Sequence, residues 1–272
     1  MCIRDRYQSW YSNDTTQGSK YQTVDWGKQT AKQNNTLSAL LARERIRYFS
    51  LPVYLTNTAC GWLFAAVFVL LVVLIPDRIN PYIYQLAEYF QVSPSDYDVL
   101  FIYAVSILTT ISCTTYASIS IEGKQIEMLK SLPIAAKSIF RAKVLHHLSL
   151  SVPTIFILNT IMAVYLQWSF PKVMLGYALP LLCSVFIGMV GYILNLIFPN
   201  FEWENVTHII KQSLPAILTS LIGVVVTCGT AYLLLKFSPN SLYTGSWIVC
   251  GIILLLILII CLLYTSDAAD DL

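Results

Sequence analysis

The chain has 272 residues, of which 56% are hydrophobic and only 12% charged, with a mean hydropathy of +0.63, whereas a soluble domain carries about 25% charged residues. That composition argues against a water-soluble fold. A net charge of +2, without a basic run interleaved with aromatics, also removes nucleic acid as a partner.

Residues 1–6 (MCIRDR) and 261–272 (CLLYTSDAADDL) resemble translated adapter sequence at the edges of metagenomic reading frames, and they are set aside. The closing DAADD is accordingly not read as an acidic metal-binding motif. The first 35 residues are polar and lack an apolar core, so no cleavable signal peptide is expected and the first span serves as its own insertion signal. Residues 7–35, rich in Gln, Asn, Ser and Thr without a sustained apolar period, read as a polar cytoplasmic linker. Over 36–50, Leu37, Leu40, Leu41 and Tyr48 share a helical face that Glu44 interrupts and Arg43 and Arg47 flank. This pattern predicts a helix lying on the cytoplasmic interface, with Pro52 marking the turn into the membrane.

A bilayer core about 30 Å thick needs roughly 20 mainly apolar residues at 1.5 Å rise. Six stretches qualify: about 57–76, 99–118, 145–167, 173–198, 214–235 and 245–264. The second is the most polar, carrying Ser106, Thr109, Thr110, Ser112, Thr114 and Thr115. The fold class is therefore an all-α integral membrane protein with six transmembrane helices and an N-terminal interfacial helix, to which the resemblance given below adds a cytoplasmic coupling helix. Cys60, Cys113, Cys183, Cys228 and Cys250 sit singly in apolar stretches, where a thiol behaves as a small hydrophobe.

Basic residues set the orientation, because loops rich in Lys and Arg stay in the cytoplasm. With both termini inside, six bases between Lys20 and Arg47, five between Lys124 and Lys143, and Lys211 are cytoplasmic. Only Arg78, Lys172 and Lys236 are left outside. The longest outer loop, Asp77 to Asp98, carries Pro81, Tyr82, Tyr84, Tyr89 and Phe90 and suits an interfacial helix.

Between the second and third spans, SISIEGKQIEMLKSLPIAAKSIFRAK (Ser118 to Lys143) is charged yet amphipathic, keeping Ile126, Leu129, Leu132, Ile139 and Phe140. Gly123 permits a sharp exit from the second span and Pro133 breaks any helix begun at Glu122, predicting two short helices across the membrane face. Here, in RERIRYFSLPVYLTNTACG before the first span, and in LNLIFPNFEWENVTHIIKQS after the fourth, the chain resembles the membrane subunits of ABC-type exporters. The likeness is to the type-2 permeases of Gram-positive bacteria, over roughly residues 36–260. The resemblance implies that the loop between the second and third spans is a coupling helix docking on a cytoplasmic ATPase subunit, with Glu122, Gly123, Lys124, Leu132 and Pro133 at its core. It also implies that Glu202, Trp203 and Glu204 form either a second, smaller contact or a structural cap.

No nucleotide site accompanies these motifs. Gly27-Lys28 and Gly123-Lys124 are each followed by Gln and lack the glycine five positions earlier that a phosphate-cradling loop needs. ATP is therefore expected to be used by a partner subunit, with no cofactor, metal or catalytic residue in this chain. The expected partners are cytoplasmic ABC ATPase subunits, surrounding membrane lipids and a second six-span half, whether fused, homologous or identical. The expected role is that of a permease subunit, or half, of an ATP-driven exporter in the plasma membrane. Two other classes stay open. A membrane-embedded enzyme has only His146, His147 and His208 to draw on, without an HExxH pattern, and an ATP-independent secondary transporter would have to use Asn159, Asn195 and the hydroxyl-rich second span as a polar path.

Overall fold

The computed structural model describes residues 35–203 and 205–270. The readings placed on residues 1–34, on Glu204, on the Lys124 side chain and on side chains beyond Leu262 lie outside what is described. Among the described residues the regular structure is helical throughout: α1 Thr36–Ser50, α2 Pro52–Leu74, α3 Pro76–Tyr89, α4 Tyr97–Thr110, α5 Ile126–Lys130, α6 Ala136–Tyr165, α7 Phe170–Ile197, α8 Val206–Gln212, α9 Leu214–Phe237 and α10 Leu242–Asp270. Six segments are long and apolar enough to cross a bilayer, so the protein is a multi-pass membrane protein.

Pro52 starts a helix where the sequence leads one to expect, and serine and asparagine caps begin two others. Leu51 is extended and Pro52 starts α2 at a position whose N–H has no intrahelical partner in any helix. Ser213 caps α9 by accepting from the Ala216 N–H, and Asn205 caps α8 through the Thr207 N–H. The exposed side chains of α2, α9 and α10 are large and apolar, as lipid-facing surfaces must be: Leu63, Leu70, Ile217, Leu221, Ile252 and Leu255 among them. The core collects around α7, which packs against α4, α6, α9 and α10 and fully buries Leu175, Leu179 and Ile187.

Two boundaries depart from expectation. The third span begins at Ala136 rather than near 145, so the second of the two short helices predicted after Pro133 is the first part of the 30-residue α6. The second span is helical only over Tyr97–Thr110. Residues 111–114 are irregular, and the chain continues as 3₁₀ turns at Thr115–Ala117 and Ser120–Gln125 before α5. Serine and threonine offer the backbone partners that compete with helical ones. Here they are spent on neighbouring helices: Ser112 Oγ accepts from the Trp62 N–H at 2.9 Å, and Thr115 Oγ1 donates to the Gly188 carbonyl at 2.6 Å. Irregular backbone survives at membrane depth only when protein encloses it. Residues 112–123 are all buried, which meets that condition.

The spans bring two sets of polar residues to opposite ends of the bundle. One end holds Lys172, paired with Asp98 and bonded to the Ser95 carbonyl, together with the Ser93–Asn240 and Asp96–Tyr243 links between the loop before α4 and the one before α10. The other, basic end holds α1, α5, the start of α6 and the turn after α7.

Candidate functional site

At the basic end, α1 places Leu40, Glu44 and Tyr48 on its buried face, one helical turn apart. Glu44, which the sequence pattern treats as an interruption, is thus central to the packing. Its partner is Lys143 of α6, whose ammonium carries three donors. All three are engaged, at 3.0 Å from Glu44 Oε1, 2.7 Å from Glu122 Oε1 and 2.7 Å from the Ser118 carbonyl. Arg43 Nη2 reaches Glu122 Oε2 at 3.0 Å, and Arg47 Nη1 stands 3.3 Å from Glu122 and 3.7 Å from Glu44. The side chains of Glu122 and Lys143 are 0% and 1% exposed. Two carboxylates thus face three bases in a buried cluster that ties α1, the 3₁₀ segment and α6 together. Next to it Tyr48 packs edge-on against Tyr54 and His146 and bonds Thr58 at 2.9 Å. Burial raises the pKa of the Tyr48 phenol, with the Thr58 bond acting the other way.

A second set of contacts fixes the far side of the same segment. Asn195, buried on α7, accepts from the backbone N–H of Ile119 at 2.8 Å and of Ser120 at 3.1 Å, while its amide donates to Ser120 Oγ at 2.7 Å. Ser120 Oγ also accepts from the Asn200 N–H, and the Ser120 carbonyl accepts from Trp203 Nε1 at 2.8 Å. The Trp203 ring then covers Gly123, whose φ of +51° and ψ of −134° suit glycine, and a Cβ there would lie 3.2 Å from the indole. The Trp203 side chain is therefore a clasp on the 3₁₀ segment.

Of the residues singled out in the sequence, Gly123 and Trp203 meet, so the two candidate contacts form one site. Glu122 is turned inward and its carboxylate is occupied. Leu132 and Pro133 are exposed in the turn between α5 and α6, where the Ile134 N–H bonds the Leu132 carbonyl at 2.7 Å, and Glu202 is exposed as well. Behind that turn Leu129 is buried against Leu40 and Ala142. An open cleft of about 810 Å³ lies between α1 and the turn after α7, lined by Arg47, Ser50, Glu122, Gly123, Gln125 and Trp203 among others.

The sequence pattern gave no site role to Glu44, Lys143 or Ser120, and it placed Asn195 only in a polar path. Glu44 carried a usable signal in its i, i+4, i+8 spacing with Leu40 and Tyr48. The pairings of Lys143 and Asn195 are long-range and leave no local trace. His146 and His147 are both buried, the latter with Nε2 3.2 Å from the Ser184 carbonyl and hydroxyl. His208 is exposed, on α8. Among the described residues no three His, Cys, Asp or Glu side chains gather closely enough to hold a metal.

No family model matches the chain, and neither a curated protein nor a solved structure matches it.

Proposed function

We propose that this protein is the membrane subunit, or half, of an ATP-driven exporter of the ABC type, and that residues 119–135 transmit the movement of a separate ATPase to the spans. On this reading the basic end faces the cytoplasm of a cell whose plasma membrane holds the six spans. The observation that carries it is the division of the segment into two faces. Leu132 and Pro133 stand exposed, while Glu122, Ser120 and Leu129 bind the same segment to α1, α6 and α7. A push on the exposed turn is thereby delivered to three helices at once. The likeness of the segment to type-2 permease coupling helices supports the same reading.

Replacing Leu132 by Asp sets a charge where an apolar side chain would enter a partner's groove, at a cost of several kcal/mol to the contact. Leu132 is exposed, so insertion and thermal stability are expected to stay at wild-type levels while the ATPase no longer co-purifies and is no longer stimulated. Normal capture and stimulation by Leu132→Asp would sink the coupling role. The polar second span favours a second reading, an ATP-independent transporter using a path beside Asn159 and Thr115. Substrate uptake by vesicles holding this chain alone, without ATP, would decide for it.

A further inference from the structure

The cleft at the basic end has a volume of about 810 Å³, within the roughly 300–1,000 Å³ of sites that hold small ligands. Its two walls carry opposite charge. On one side Arg47 lines the cleft, with its buried Nη1 turned back to Glu122 and Glu44 at 3.3 and 3.7 Å. With three bases to two carboxylates, the cluster behind it retains one positive charge. The Glu122 carboxylate that also lines this wall is already taken by Lys143 and Arg43. On the other side stand the exposed carboxylate of Glu202 and the aromatic rings of Trp203 and Phe201.

The cleft sits where α1 turns into α2 and where α7 ends, which is the level of lipid headgroups. Exposed apolar side chains flank it in sequence on both walls: Ile46 and Phe49 beside Arg47, Ile197 and Phe198 before Phe201. We infer that the cleft binds the headgroup of a resident zwitterionic phospholipid of the phosphatidylethanolamine type. Arg47 faces the phosphate, Glu202 and the Trp203 ring face the ammonium, and the acyl chains lie along the exposed apolar residues. A purely anionic headgroup would meet Glu202, and a soluble zwitterion would leave the apolar flanks unused.

The test uses the purified full chain in nanodiscs of equal phosphatidylethanolamine and phosphatidylglycerol content, with the lipid retained after mild delipidation identified by native mass spectrometry. Wild type is expected to retain phosphatidylethanolamine preferentially. Glu202→Lys, at an exposed position outside the ionic cluster, should lower that preference about fivefold, the weight of one partly solvated charge contact, with unchanged thermal stability. Equal retention of the two lipids by wild type, a preference for phosphatidylglycerol, or an undiminished preference in Glu202→Lys would each overturn the assignment. No ATPase is present in this experiment, so its failure leaves the exporter reading standing, and failure of the Leu132→Asp test leaves this site standing.

Discussion

Lys143 illustrates how much a single residue can hold in a membrane protein. Its three donors are all used, and removing it strands two buried carboxylates that Arg43 and Arg47 serve only in part. Breaking a buried ion pair from one side costs about 3–5 kcal/mol, because the surviving charge stays buried. Lys143→Met is therefore expected to unfold in detergent at a markedly lower temperature, and Lys143→Met/Glu122→Gln to recover part of the loss. Thermal unfolding followed by tryptophan fluorescence checks both. At Gly123 the cost is conformational, since alanine would keep a φ of +51° and press on Trp203. Gly123→Ala should lose about 1–3 kcal/mol. Gly251→Ala, on a helix with nothing within 4 Å, should match wild type or gain slightly in the same assay.

At the scale of elements, the interrupted second span depends on a side chain from another helix. Asn195→Ala leaves the Ile119 and Ser120 N–H groups buried without an acceptor, at about 1–3 kcal/mol each. The expected result is faster hydrogen exchange over residues 115–125 and a larger drop in stability than for Asn159→Ala, whose amide bonds only the Ile155 carbonyl of its own helix. The six spans, the Pro52 start and the turns at Gly123 and Pro133 were legible because hydropathy and backbone preference are local properties. The end of helix at Thr110 was not. A hydropathy window averages over Ser112, Thr114 and Thr115, and the partners of the Ser112 and Thr115 hydroxyls lie on α2 and α7. For the same reason the sequence separated Gly123 from Trp203, which folding brings into contact, and it offered Glu122 to a partner when α1 and α6 already occupy it.

For the whole molecule, the expected orientation rests on the number of bases at each end. Arg43, Arg47 and Lys143 are neutralised in part by Glu44 and Glu122, yet the other bases assigned to that end still outnumber the three at the opposite end. Of those three, Lys172 is paired with Asp98, and Lys236 lies 5.9 Å and 5.6 Å from the ring centres of Tyr232 and Phe237. Orientation follows the number of loop bases rather than net charge, so these pairings leave the expectation unchanged. In a background with the native cysteines replaced, a cysteine at Lys130 should react with an impermeant maleimide only after the cells are opened. Labelling of intact cells from outside would reverse the topology and remove the proposed docking face.

The enclosed second span also bears on how the chain is made. Its regular helix is 14 residues long, about 21 Å at 1.5 Å per residue, too short to cross a hydrocarbon core of about 30 Å. In the rest of the span the Ile119 and Ser120 N–H groups find their acceptor on α7, which is synthesised later. During translation the Ile119 and Ser120 N–H groups therefore emerge 76 and 75 residues ahead of the Asn195 side chain that accepts from them.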